Sequence, residues 1–460
     1  MNENSQFTEG KIVGPLIGFA LPVLLAMCMQ SLYGAVDLLI VGQFGTAADV
    51  SAVATGSQMM QMVTVIITGL AMGTTILLGQ AIGRGKKRDA GDIIGSSICF
   101  FFLLAVGITI LMMFITKPFT ALMHAPQEAF SKTMEYVKIC SMGTLFIVAY
   151  NVLGSIFREI GDSKTPLLTV FFACIFNIVG DLLFVGVLNM HTSGAAIATV
   201  LAQAFSVVLC IIIVKKKGLP FAFSWQNIRF NKNIIAKIVK IGLPIALQDG
   251  LVNVSFLAIN AIVNGLGVMA SAGVGVAEKI CAFIMLVPSA FSQSLSAFVA
   301  QNIGAGKQKR ARKSMVCGMC ASIIAGIVMA YISFFHGDLL AGIFSSQEEV
   351  IFAAADYLKA YAIDTLVVSF LFCYIGYFNG CGKTTFVMVQ GIVGAFCVRI
   401  PVSYLISKTE QASLFKIGLA TPLSTFVQII LCTLFFCYIL RKEKSIDSLA
   451  NSDNEKLHIE

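Results

Sequence analysis

Charged side chains are scarce in this sequence. Asp, Glu, Lys and Arg make up 12% of the 460 residues, whereas soluble globular proteins carry roughly 25%. Only four histidines are present, they lie far apart along the chain, and no nucleophile with a neighbouring base accompanies them. The low charge content argues against a soluble protein, and the missing clusters argue against catalysis or a resident metal. We therefore expect a chain that is not an enzyme and holds no cofactor.

Apolar residues are abundant instead, at 57% of the chain. They form twelve runs, at about 14–40, 47–80, 92–116, 134–158, 166–189, 194–214, 239–265, 270–300, 315–335, 355–380, 385–407 and 417–440. A bilayer core about 30 Å thick needs ~20 apolar residues to cross it. Because lipid offers the backbone no hydrogen bonds, such runs must be helices. The sequence predicts an all-α integral membrane protein with twelve transmembrane helices.

The distribution of lysine and arginine predicts the orientation in the membrane. The even-numbered loops and the two ends of the chain hold 24 of these residues. The odd-numbered loops hold only four: Lys117, Lys132, Lys408 and Lys416. Loops rich in Lys and Arg stay in the cytoplasm, so residues 1–13 and 441–460 are both expected there, in a cell-membrane protein. The basic loops account for the net charge of +8, so this charge does not indicate binding to nucleic acid. We expect the lipid bilayer as a partner and no nucleic acid.

The chain repeats itself after 221 or 222 residues. Gln80–Lys86, with the pattern Gln-x-Ile-Gly-x-Gly-Lys, returns as Gln301–Lys307, and Ala20–Val23 returns as Gly242–Ile245. Six helices in each copy is an even number, so the two copies are parallel and related by an axis along the membrane normal. The repeat predicts two pseudo-symmetric six-helix lobes around a central cavity, which is the plan of an alternating-access carrier.

The repeat also sets the domain boundaries. We expect an N-lobe over 14–214, a basic cytoplasmic linker over 215–238 and a C-lobe over 239–440. Pro22 in the first helix and Pro244 in the seventh each remove a backbone hydrogen bond, which neighbouring helices make tolerable. They are expected to act as conformational hinges or as fixed kinks.

Among the acids in the apolar runs of the N-lobe, two are candidates for function. Asp37 lies in the first helix, and Asp181 follows Asn177 by four residues in the fifth, so that amide and carboxylate share a face. Thr199 is expected at the same depth in the membrane as the two acids, and Asn151 is expected somewhat deeper. Two carboxylates in one buried site cannot both ionise cheaply, so a proton or a cation such as Na⁺ must neutralise them. The five residues form a candidate cation or proton site, and the alternative is that the two acids brace helix contacts.

The C-lobe carries further intramembrane charges with less definite roles. Glu278, Asp364 and Arg399 lie within its apolar runs, and intramembrane charge is a functional candidate by default. Asp364 is expected to line the cavity or to pair with Arg399. Three glutamines are also candidates for the cavity lining: Gln30, Gln61 and Gln248.

Taken together, these motifs resemble the multidrug and toxic compound extrusion (MATE) family. The twelve-helix repeat, the two Leu-Pro pairs, the two Gln-x-Ile-Gly-x-Gly-Lys loops and the segment Phe157–Pro166 carry the resemblance, which covers about residues 10–440. Asp37 and the Asn177-x-x-x-Asp181 pair look like the branch of DNA-damage-inducible exporters. In that branch the cation site lies in the N-lobe, and the resemblance implies the same five residues as this site. The norfloxacin branch has a glutamate eight places after the proline of helix seven, where this chain has Val252.

The resemblance implies a function as well. It implies a secondary active antiporter, expected to be a monomer, that exports organic and often cationic compounds in exchange for H⁺ or Na⁺. The alternatives are a lipid-linked sugar flippase or a narrow-substrate metabolite exporter of the same superfamily. A flippase for lipid-linked pyrophosphates needs a cationic cavity, whereas this sequence places acids in its N-lobe.

Overall fold

The computed structural model describes residues 7–221, 223–410 and 413–457, which form helices and connections with no strand among them. The first repeat holds seven helices. They are α1 (Val13–Phe44), α2 (Ala47–Gly83), α3 (Lys87–Leu122), α4 (Gln127–Met142), α5 (Thr144–Glu159), α6 (Lys164–Asp181) and α7 (His191–Lys217). A connection with one short 3₁₀ turn, Trp225–Asn227, leads to the second repeat.

The second repeat contains more helices than the first, and several of them are short. Its helices are α8 (Lys232–Asn264), α9 (Val268–Ile284), α10 (Leu286–Gly304), α11 (Gln308–Phe335), α12 (Gly337–Gly342), α13 (Glu348–Gly380), α14 (Thr384–Ile392), α15 (Ile400–Ser407), α16 (Leu414–Gly418) and α17 (Ala420–Leu457). Helices α9 and α10 together form one apolar span.

The number of spans agrees with the sequence prediction. In the described part of the chain, eleven helical segments are long and apolar enough to cross a membrane, and the bent pair α4 and α5 makes a twelfth. The pair turns by 56° at Gly143, and glycine is among the weakest helix formers. The chain is therefore a multi-pass helical membrane protein, and its fourth span is bent.

Two spans contain a stretch of π-helix. Leu182–Val187 follows directly after Asp181, and Val393–Arg399 links α14 to α15. Such wide turns inside α-helices are rare and concentrate at functional sites. Both stretches border residues that the sequence singles out, Asp181 and Arg399.

The described residues fall into two compact units. The first holds the chain up to Asn253 with Ala282–Ala325 and Ile375–Met388, and the second holds Val254–Cys281, Gly326–Tyr374 and the chain from Val389. In the first unit α2 lies at the centre, since 56% of its apolar window is buried against 17% for α3. An apolar helix that is mostly exposed, such as α3, is suited to contact with lipid.

Candidate cation site and the contacts between the repeats

Three helices of the first unit bring most of the predicted N-lobe residues together. Asp37 comes from α1 and is 4% exposed, whereas Asn177 and Asp181 come from the end of α6 and are fully buried. Thr199 of α7 donates a hydrogen bond from its hydroxyl to Oδ2 of Asp37 over 3.3 Å. The side chains of Asp181 and Asn177 are the other polar neighbours of the Asp37 carboxyl. The structure therefore gathers four of the five predicted residues in one cluster.

Most polar atoms of this cluster have no hydrogen-bond partner in the protein. Oδ1 of Asp37, both carboxylate oxygens of Asp181 and both amide atoms of Asn177 are buried without one. Leaving a buried polar atom unpaired costs roughly 1–3 kcal/mol, so a purely structural brace is expected to pair them. Carboxylate, amide and hydroxyl oxygens suit a proton or a hard cation. The unpaired oxygen atoms make the cluster a candidate site for a proton or a cation, and its role stays a prediction.

Asp49, at the start of α2 in the same unit, is a buried carboxylate whose two oxygen atoms both have partners. It is fully buried, yet Lys132 forms an ion pair with its Oδ1 at 2.7 Å and the Thr192 hydroxyl donates to the same atom over 2.8 Å. The backbone N–H of Thr46 donates to Oδ2 over 2.9 Å. Asp49 thus ties the starts of α2, α4 and α7 together, and it offers no free oxygen to a ligand.

Loss of the Lys132 ammonium is expected to destabilise the fold without blocking transport. In Lys132→Met the buried Asp49 keeps its hydroxyl and amide donors but loses its only ion pair among the described residues. We expect a loss of about 1–3 kcal/mol, because Lys132 is partly exposed and solvent screens the pair. Thermal unfolding of the purified protein measures the effect. Lys138→Met, an exposed lysine of the same helix, should leave the midpoint unchanged, and equal midpoints for both variants would contradict this role.

Two tyrosines next to the cation cluster were not identified from the sequence. Tyr33 lies one helical turn before Asp37, and its buried hydroxyl neighbours Thr199. Tyr136 of α4 is 3% exposed and lies close to Tyr33 and Asp37. The four-residue spacing from Tyr33 to Asp37 is the signal that identifies the first of them. Both side chains therefore lie beside the carboxyl cluster.

The other polar candidates, three from the N-lobe and one from the C-lobe, are not among the polar contacts that the described structure gives this cluster. The amide of Asn151 donates to the backbone carbonyl of Ile147 in its own helix over 2.8 Å, so its donor is not directed at the acids. Gln30 is exposed and donates to the hydroxyl of Tyr150 over 2.7 Å. Gln61 is exposed and Gln248 is buried. The role of these side chains in lining a cavity stays a prediction.

The C-lobe charges form separate contacts in the second unit. Glu278 accepts a hydrogen bond from Asn260 over 3.0 Å. Asp364 accepts one from the Thr425 hydroxyl over 2.6 Å. Arg399 has no ion pair within 4.0 Å in the described part of the chain. Its guanidinium instead donates to the Ser255 hydroxyl over 3.2 Å and lies 4.4 Å from the centre of the Phe256 ring. The alternative that Arg399 pairs directly with Asp364 is therefore not realised.

The two repeated loops make reciprocal contacts between the repeats. The side-chain amide of Gln80 donates to the backbone carbonyl of Gly380 over 3.2 Å. The amide of Gln301 donates to the backbone carbonyl of Glu159 over 2.6 Å. Donors and acceptors are each 221 residues apart, so the two bonds are related by the internal symmetry. We call the part of the first unit that extends from Gly69 and Ala246 to the repeated loops, residues 80–86 and 301–307, the loop end.

Close backbone packing accompanies these hydrogen bonds at the loop end. A Cβ atom at Gly69 would lie 2.5 Å from the Cα of Ala246, and one at Gly73 would overlap the backbone carbonyl of Ile238. Real Cβ atoms are not found so close to backbone, so the contact between α2 and α8 requires glycine at both positions. The repeats are therefore locked together at the loop end in this conformation.

Pro22 and Pro244 lie inside the continuous helices α1 and α8. Pro22 is fifteen residues before Asp37 on the same helix, and Pro244 adjoins the segment of α8 that packs on α2. Their role as hinges stays a prediction.

The fold, the internal repeat and the buried acid pair define a helical membrane transporter built from two similar lobes. A family model described as MatE matches residues 22–183 and again residues 244–405. The two matches are displaced by 222 residues, which is the offset of the repeated motifs. The chain belongs to the MatE family of multidrug and toxic compound extrusion transporters, and it is not an enzyme.

Individual relatives agree with this assignment. The chain is 26% identical to the probable multidrug resistance protein YpnP of Bacillus subtilis over 87% of its own length and 90% of that protein. It is 23% identical to the multidrug export protein MepA of Staphylococcus saprophyticus over 84% and 86% of the two chains. A crystal structure of a MATE protein in complex with MaL6 superposes with a TM-score of 0.90 over 97% of this chain and all of that one, at 19% identity. At such low identity the structural likeness concerns the fold alone.

Proposed function

We propose that the protein exports small organic compounds across the cell membrane in exchange for H⁺ or Na⁺. The observation that carries this proposal is the buried pair of Asp37 and Asp181, whose oxygen atoms mostly lack partners in the protein. The names of the curated relatives, multidrug resistance and multidrug export proteins, support organic compounds as substrates. We also propose that the protein is a monomer with both ends of the chain in the cytoplasm. Because the acid pair lies in the first repeat, we propose that the protein is of the DNA-damage-inducible type.

The contacts at the loop end supply the conformational part of the proposal. With Gln80 and Gln301 bonded across the repeats, this conformation is closed at the side that we propose to be cytoplasmic. Uptake of substrate from the cytoplasm requires both hydrogen bonds and the contact between Gly69 and Ala246 to separate. Binding of a cation to one conformation more tightly than to the other then drives the exchange.

The coupling ion is H⁺ or Na⁺, and both suit the same oxygen atoms. A proton needs one carboxylate to become neutral, whereas Na⁺ needs several oxygen ligands around it. The carboxylates, the amide of Asn177 and the hydroxyl of Thr199 provide such ligands in one place.

Dye export from cells tests the proposed function and separates the two ions. Cells that express the wild-type chain are loaded with ethidium, and efflux is followed after collapse of the proton gradient alone or the sodium gradient alone. We expect efflux above that of empty-vector cells, and we expect one of the two treatments to remove it. Efflux equal to the empty vector would instead favour a narrow-substrate exporter or a lipid-linked sugar flippase.

A further inference from the structure

Helix α8 carries an intramembrane acid that the sequence analysis did not single out. Asp249 lies five residues after Pro244, within the apolar span Lys232–Asn264. In the described part of the chain, no Lys, Arg or His nitrogen lies within 4.0 Å of its carboxylate, since none of the ion pairs includes it. An intramembrane acid without a cationic partner is a candidate for a functional site.

The position of Asp249 around the helix is set by its neighbours. Helix α8 packs on α2 through Gly242 and Ala246. At about 100° per residue, Asp249 lies about 20° around the helix from Gly242 and about 60° from Ala246. Leu243 and Leu247, which are 44% and 47% exposed, lie about 120° and 160° away from Asp249. Asp249 is therefore on the face of α8 turned towards α2, and not on the exposed apolar face.

This face is closed at the loop end and open beyond it. At Gly242 and Ala246 the two helices are in backbone contact, but one turn further Asp249 and Asn253 are exposed. Helix α2 runs in the opposite direction, and beyond Gly69 it presents Met62, which is 38% exposed, about 20° around from Gly69. The exposure of these facing side chains indicates that the helices part beyond the glycine contact, with an acid on one side and an apolar surface on the other.

We propose that Asp249 binds the positively charged group of organic cations, with the apolar part of the ligand against Met62 and Ile66 of α2. Ile66 is 48% exposed on the same stretch of α2. A carboxylate with an apolar surface opposite it matches an amphipathic cation, since the charge meets an unpaired acid while the hydrocarbon leaves water. This inference rests on the proposed function and adds to it, because it assigns substrate charge to Asp249 and the coupling ion to Asp37 and Asp181.

Equilibrium binding of radiolabelled tetraphenylphosphonium to the purified full-length protein tests the assignment. We expect Asp249→Asn to weaken binding at least tenfold, because a charged partner is lost, and Asp249→Glu to retain most of it. Asp89→Asn removes an exposed acid from the start of α3 and should change nothing. A neutral apolar dye should bind wild type and Asp249→Asn within about threefold of each other.

A second variant keeps the test decisive if Asp249→Asn folds poorly. Met62→Lys places an ammonium group opposite Asp249 and should also abolish tetraphenylphosphonium binding, while Met62→Leu should not. Unchanged binding in well-folded Asp249→Asn, or no binding by the wild type, would overturn the assignment. Failure of the proposed function has a different signature, namely a wild type that binds the cation through Asp249 but does not export it.

Discussion

Replacement of Asp37 by asparagine is expected to abolish coupled export while leaving the protein folded. The substitution keeps the size of the side chain and its bond with Thr199, but the site can no longer take up and release a proton or hold a cation by charge. Since coupling depends on a cation that binds the two conformations unequally, export against a gradient should fall to the empty-vector level. Removal of one buried charge from an acid pair relieves repulsion, so the midpoint of thermal unfolding should stay equal or rise.

Efflux of ethidium from cells, together with thermal unfolding of the purified variants, measures both parts of this prediction. Asp181→Asn should behave like Asp37→Asn because the two carboxylates form one site. Asp89→Asn, with the same chemical change at an exposed position, serves as the control. Undiminished export by Asp37→Asn at normal expression would remove the acid pair from the mechanism.

Replacement of Gly69 by valine is expected to stop transport for a different reason. The new side chain would overlap the backbone of Ala246, so that α2 and α8 can no longer close at the loop end. The protein should remain folded with its repeats separated there, because the contact that is lost joins the two repeats and not the helices within one. Export should be lost or reduced at least tenfold.

Hydrogen–deuterium exchange of residues 80–86 and 301–307 reports the opening directly. Exchange in both segments should increase in Gly69→Val, since separation of α2 from α8 should loosen the neighbouring contacts of Gln80 and Gln301 between the repeats. Gly107→Val is the matched control, because no atom lies within 4 Å of the position that a Cβ would take at Gly107 in α3. Wild-type exchange and full export in Gly69→Val would show that the glycine contact is not required for the transport cycle.

Much of this architecture is encoded in simple features of the sequence. Apolar runs of about 20 residues have one stable solution in lipid, so the spans followed from length and composition. The repeated Gln-x-Ile-Gly-x-Gly-Lys loops gave the internal symmetry, and the two family matches confirm its offset. The meeting of Asp37 with Asp181 could be predicted because charges in lipid must share a protected site.

Other parts depend on packing that no local pattern reveals. Tyr136 joins the cation cluster from α4, and its place depends on how α4 packs against α2 and α7. Asp249 was not singled out because it lies in an ordinary apolar run. Only the contact of Gly242 with α2 shows which way the acid faces. Arg399 forms contacts with Ser255 and Phe256 instead of an ion pair with Asp364. The sequence does not show which of these partners the guanidinium reaches.

Linkage between cation and substrate tests the account most directly. Binding of tetraphenylphosphonium to the purified wild type and to Asp37→Asn is measured over a series of Na⁺ concentrations at fixed pH, and over a series of pH values without Na⁺. We predict that one of the two cations weakens binding to the wild type by at least tenfold, and that this dependence is much smaller in Asp37→Asn. Binding to the wild type that is independent of both cations, or an equal dependence in Asp37→Asn, would contradict exchange through the buried acid pair.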